Sequence, residues 1–237
     1  MSRSSLLVAS LLALAAASRA TAQSSGDMAG RWSFDIGAQF AAPVGEFATQ
    51  IDRAWGVGGT ARYHLRHLAA LGMRIDGAAL NYGNERKRVP FSSTINRVLV
   101  DMNTSNNIAL LTAGPELMAP SGPLRPYAFG LAGVSYFFTE SSVGDDNNGG
   151  SIARSTNYHD AGIATVAGGG VQFPLAIRTA RLAIDVGARY VHNGTRNYLR
   201  RGDIVDQPDG SLLLTPRRSP ADFWQYQLAL SITPRTR

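Results

Sequence analysis

Seven charged residues recur in one setting. Asp35, Arg62, Arg74, Asp76, Arg181, Asp185 and Arg189 each sit in a stretch where apolar and polar residues alternate. Carboxylates and guanidinium groups so placed can serve as acid, base or anion-binding groups, or they can neutralise one another in charge-assisted pairs where water is excluded. The four histidines, His64, His67, His159 and His192, show no HExxH-type spacing and no flanking carboxylate pair. A metal site would have to be assembled from distant segments, and no metal is expected. Cysteine is absent, which removes disulfides and thiolate ligands together. His64, His192 and Asp185 are the residues that an esterase-like or acyltransferase-like centre would recruit. Nothing in their local sequence matches such a motif, and strand parity puts His64 and His192 on opposite faces, so no catalytic residue is assigned.

Three further motifs have plain explanations. Residues 56–61, GVGGTA, fit the glycine fingerprint of dinucleotide sites but lie inside an alternating stretch, not between a strand and a helix, so no cofactor is expected. Residues 145–150, DDNNGG, lack the closing glutamate of a calcium loop. Arg201, Gly202 and Asp203 spell an adhesion-type tripeptide in a turn-rich segment and are carried forward as a surface-loop candidate. Outside the alternating stretches, Arg86, Arg88, Arg154, Arg200, Arg217 and Arg218 suit a phosphate-rich surface, because guanidinium forks pair with phosphate.

The elements that position these residues read as strands. The clearest is 178–192, RTARLAIDVGARYVH, with Leu182, Ile184, Val186, Ala188 and Tyr190 on one face and Arg181, Asp185 and Arg189 on the other. The same pattern appears over 30–42, 55–65, 68–82, 108–118, 127–139, 158–173 and 223–233, eight strands in all. Between them lie 43–54, 83–107, 141–156 and 193–220, expected as long polar excursions, with continuation of the strands beyond the apolar band left open over 83–107. These take turns with short connections at 66–67, 119–126 and 174–179.

The chain starts with Arg3, an apolar run and small residues at Ala20 and Ala22, so residues 1–22 are expected to be a cleaved secretory signal and 23–237 one domain. Without Arg3 and Arg19 the chain keeps 21 basic residues against 17 acidic, net +4. These charges are interleaved, and Lys87 is the only lysine, which speaks against a nucleic-acid partner. The apolar run of the leader falls short of the roughly 20 residues of a spanning helix, and no other stretch is long and apolar enough, so a membrane form must be a barrel.

Alternating loop lengths and aromatic strand ends at Trp32, Trp55, Tyr63, Tyr127, Tyr136, Phe173, Tyr190 and Trp224 match a transmembrane barrel, with long loops outside and short turns in the periplasm. The expected fold is all-β, an eight-stranded antiparallel up-and-down transmembrane β-barrel. An interior that narrow is filled by side chains. Asp35, Arg62, Arg74, Asp76, Arg181, Asp185 and Arg189 become candidate luminal ion pairs, with inward glycines making room for the arginines.

The residues PVGEF at 43–47, the glycine-rich WGVGGTARYHL, LRPYAFGLAGVSYFF at 124–138 and AGGGVQFPL carry a resemblance to the small outer-membrane β-barrel family of Gram-negative bacteria, the OmpA-like and OmpX-like barrels. The resemblance spans 30 onward and departs from the family where the last strand runs on into ITPRTR instead of ending on an aromatic. It implies residence in the outer membrane, contact with lipid and lipopolysaccharide, insertion by the barrel-assembly machinery, a monomeric state, and a structural or adhesive role without enzymatic activity. Three alternatives stay open: a barrel that transports a small solute or hydrophobic ligand, a lipid A-modifying enzyme, and a soluble binding barrel of inverted polarity.

Overall fold

The computed structural model describes residues 31–68, 70–90, 99–144, 151–175, 181–207 and 211–234. The expected leader, the DDNNGG segment at 145–150 and the last three residues lie outside these. Eight strands close into an antiparallel barrel: β1 (Trp32–Pro43), β2 (Ala54–His64), β3 (Leu71–Pro90), β4 (Leu99–Met118), β5 (Arg125–Gly144), β6 (Ser151–Leu175), β7 (Arg181–His192) and β12 (Phe223–Thr233). Each pairs with its chain neighbours, and β1 closes on β12 from Phe34 opposite Ile232 to Pro43 opposite Phe223.

The polarity of the wall is that of a membrane barrel. In β1, Ser33, Asp35 and Gln39 are buried while Trp32, Phe34 and Ile36 are exposed, Ile36 to 68%. In β12, Gln225, Gln227 and Ser231 point in and Trp224, Tyr226, Leu228, Leu230 and Ile232 point out. Ile163 on β6 is exposed to 74%. A wall that turns leucine and isoleucine outward and buries arginine and aspartate is stable only where lipid covers it. This polarity identifies a transmembrane barrel.

Four segments differ from the sequence expectation. Residues 83–107 and 141–156, expected as polar excursions, are largely strand: β3 and β4 stay paired to Pro90 opposite Leu99, and β5 and β6 to Gly144 opposite Ser151. Polar composition misled here because a sheet that continues past the lipid has water on its outer face, so its alternation is polar with polar. The result is a lopsided cylinder, in which β3 to β6 have 20 to 25 residues and β1, β2, β7 and β12 only 11 or 12.

Residues 43–54 hold a five-residue helix, α1 (Glu46–Gln50), entered through Gly45 at φ 60°. That backbone geometry favours glycine. Residues 193–220 fold into two short ribbons, β8 (Thr195–Tyr198) with β11 (Arg217–Pro220), and β9 (Ile204–Asp206) with β10 (Leu212–Leu214).

Candidate functional site: a filled lumen and the surface above it

The half of the lumen nearest the short turns holds an ionic cluster. Arg62 on β2 donates through Nε to Glu116 at 3.0 Å, through Nη1 to Asp35, and through Nη2 to Asp185 at 3.2 Å. Arg74 on β3 donates to Asp76 and Glu116, both at 2.7 Å, and to the Thr60 hydroxyl at 3.3 Å. Arg189 on β7 donates to Asp76 and, at 3.1 Å, to Gln39, whose carbonyl also accepts from Gln225 at 3.0 Å. Asp185 accepts from Tyr127 at 2.8 Å and from Gln227. The guanidinium carbon of Arg74 lies 4.0 Å from the centre of the Phe129 ring, and Arg62 and Arg74 both flank Tyr127. Arg62, Arg74 and Asp185 are at most 1% exposed. At such burial the charges persist only as a mutually paired set.

Six of the seven expected residues therefore meet in one network. Arg181 shares their luminal register at the lower end of β7, opposite Thr233. Two contributors escaped sequence reading. Glu116 sits in a strand whose two faces both carry apolar residues, so its inward direction had no contrast to mark it. Tyr127, expected in the interfacial girdle, is 6% exposed and lies inside the barrel. Its phenol rests over the inward faces of Gly170 and Gly187, where a methyl group would come within 2.5 and 2.6 Å of the oxygen. These glycines make room for a tyrosine, not for an arginine.

Above the ions the lumen is apolar. Phe47 of α1 reaches down between Tyr82, Phe137 and Tyr198, with ring centres 5.0 Å from Tyr198 and 6.2 Å from Phe137. Tyr198 and Leu199 descend from the 193–222 excursion, and Tyr82 donates to the Leu199 carbonyl at 3.0 Å. A residual void of about 10 Å³ remains beside Asp76, Thr112, Arg189 and Gln225. That is room for one water at most.

The excursion itself is tied to the tall wall. Arg201 donates to the Asn84 carbonyl at 2.8 Å, the Gly202 amide to Glu85 at 3.0 Å, and Lys87 to the Ile204 carbonyl at 3.1 Å. In the adhesion-type tripeptide, Arg201 and Gly202 are exposed but Asp203 is buried, accepting from Arg217 and from the Arg200 amide. Its carboxylate closes a turn.

His64 is buried in the lumen, and His192 faces outward at the rim. The carboxylate at His192 is Asp222, 2.7 Å from Nδ1, not Asp185. Asp222 also accepts from Tyr190 at 3.1 Å and from the Asn193 amide at 2.9 Å. Burial pushes its pKa up, and these hydrogen bonds outweigh that and hold it below the ordinary carboxylate value. Among the described residues no three histidine, aspartate or glutamate side chains form a metal-binding group.

No family model matches the chain, and no curated protein matches it in sequence. Among solved structures it is similar to Ail, the attachment invasion locus protein of Yersinia pestis, at 16% identity over 87% of this chain and 100% of that one, TM-score 0.46. It is also similar to the outer membrane protein OprG of Pseudomonas aeruginosa, at 14% identity over 90% and 99%, TM-score 0.49. Neisserial surface protein A gives 15% identity over 85% and 95%, TM-score 0.39. The barrel's place in a membrane rests on the polarity of its two faces.

Proposed function

We propose that this protein is a non-conducting outer-membrane barrel that acts at the cell surface, in a structural or adhesive role and without a catalytic centre. The observation that carries this reading is the doubly closed lumen, with ions paired below and the Phe47 aromatic plug above. With the lumen packed in this way among the described residues, what remains for a partner is the part beyond the lipid: the tall sheet of β3 to β6 and the ribbons bound to it. The reading includes a monomer inserted by the barrel-assembly machinery and in contact with lipopolysaccharide.

Planar-bilayer recording tests it. The purified barrel should give no reproducible unitary openings, and defined openings would replace the surface reading with transport. For the enzymatic alternative, the lipid A mass spectrum of overexpressing cells should be unchanged; a new deacylated or acylated species would overturn the non-enzymatic reading and point to His192 and Asp222.

A further inference from the structure

The 193–222 excursion ends in a ribbon whose outer strand has no neighbour. β9 and β10 form a sheet of their own, with Val205 opposite Leu213 and Ile204 opposite Leu214. The Thr215 amide donates to the Asp203 carbonyl at 3.0 Å and the Gln207 amide to the Ser211 carbonyl at 2.9 Å. In an antiparallel ladder, hydrogen-bonded pairs alternate with pairs that exchange no bond. The bonds of this ribbon therefore run between odd-numbered residues, and the N–H and C=O of Ile204, Leu212 and Leu214 point away from the partner strand. On the β9 side that edge is taken up by the tall wall, where Lys87 donates to the Ile204 carbonyl at 3.1 Å. On the β10 side, among the described residues, no strand pairs with Leu212 or Leu214.

The side chains along this bare edge are apolar. Ile204 is 5% exposed, packed against the barrel, so Val205 and Leu213 lie on the opposite face of the ribbon, 46% and 52% exposed. Leu212, near the turn, is 48% exposed.

The longer free edges of the molecule are blunted instead. Beyond Asn81, where pairing with β2 stops, β3 carries Glu85, Arg86, Lys87 and Arg88 and ends on Pro90. Before Thr165, where pairing with β7 begins, β6 carries Arg154, His159 and Asp160. Charge and proline on an edge discourage another chain from pairing with it. Three consecutive leucines on β10 do the reverse.

An edge of this kind is completed by an extended segment added as a further strand, with backbone hydrogen bonds to Leu212 and Leu214 and apolar side chains set beside Leu213 and Val205. Charge narrows the choice of segment. Just past β10, Arg217 is held by Asp203 at 3.2 Å, whereas Arg218 is exposed and pairs with no acid among the described residues. We propose that β10 captures an extended apolar segment of a partner protein by strand addition, with acidic residues of that segment against Arg218. Antiparallel pairing puts those acids ahead of the apolar run. This inference rests on the surface role proposed above and names the chemistry of the partner.

Backbone pairing tolerates many sequences, so a generic probe reads the edge. Fluorescence anisotropy of a labelled peptide, two aspartates followed by alternating valine and threonine, is titrated with the detergent-solubilised full barrel. The wild type should bind it about tenfold more tightly than the same peptide N-methylated through its valine and threonine residues. Leu214→Pro removes an N–H that points away from β9 and should weaken binding about tenfold. Leu213→Lys keeps every backbone bond, blunts the apolar face and should also weaken it, which covers the case in which the proline variant does not fold. Exchanging the aspartates for asparagines should cost about two- to fivefold in the wild type and nothing in Arg218→Gln. Trp224→Leu, on the opposite rim, should leave binding unchanged, and heat-modifiable gel mobility checks that each variant is folded. Equal binding of the methylated peptide, or binding that survives both leucine changes, overturns the strand-addition site. A wild-type dimer in native mass spectrometry that Leu214→Pro dissolves assigns the edge to a second copy and overturns the partner reading. A folded, non-conducting barrel that ignores the peptide defeats this inference alone, whereas unitary openings in the planar bilayer defeat the surface role whatever the peptide does.

Discussion

Arg62 gathers carboxylates from three other strands, Asp35 of β1, Glu116 of β4 and Asp185 of β7. Replacing it by alanine leaves those acids facing one another out of reach of water, and is expected to cost about 3 to 5 kcal/mol. Urea titration of the barrel reconstituted in vesicles reads that loss as a shifted midpoint. Gly187→Ala acts through shape instead: its methyl would meet the Tyr127 phenol. Displacing that ring takes the phenolic hydrogen bond from Asp185, so the same titration should show a loss of about 1 to 3 kcal/mol. At the outer rim, Asp222 is more acidic in the folded barrel than in the unfolded chain. Its contribution is therefore fully present above the ordinary carboxylate value of about 3.9 and fades as pH falls through its lower folded value. Thermal unfolding from pH 7 down to pH 2 should show a steeper acid-side loss in the wild type than in Asp222→Asn; parallel curves would show that Asp222 contributes nothing at this corner.

Among the strands, β7 states its facing most clearly. Ile184 lies between Leu230 of β12 and Phe173 of β6, all three turned to lipid. Ile184→Arg at mid-membrane is expected to cost about 2 to 4 kcal/mol, measured by the same vesicle titration; a neutral result would mean that this face does not meet lipid. Facing was legible in the sequence because it depends only on parity, one residue to the next, and Asp35, Arg74, Asp76 and Asp185 all followed it. Partner choice was not legible, since Arg62 finds Asp185 across the lumen and 123 positions along the chain, which depends on stagger and closure. Strand length was hidden for another reason: once β3 leaves the lipid, Asn84, Arg86 and Arg88 face water on one side and Glu85 and Lys87 meet the polar ribbon on the other. α1 and its Phe47 were missed because five residues between breakers have no period to read.

At the scale of the molecule, the barrel combines an ion-paired lower lumen, an aromatic layer above it and walls of unequal height. Cell fractionation with heat-modifiable mobility should place it in the membrane fraction as a band that shifts on boiling, and a freely soluble product would contradict the outward apolar belt. The tall half carries the tethered ribbons, and the short half ends at a rim of Trp55, Tyr190 and Trp224.

The seam between β1 and β12 bears on how such a molecule is made. Ten cross-strand partners join the first wall element to the last, so the strand that begins the cylinder waits through all the others for its second neighbour. Until Phe223 to Thr233 arrive, two bare edges coexist, each a template for another chain. Assembly is thus a race between completing the polypeptide and mispairing, and Phe34→Pro, which removes a donor at the seam, should slow closure more than Ile75→Pro slows the interior hairpin. Following the boil-sensitive band with time during refolding would measure that difference, and equal rates would mean the seam does not limit closure.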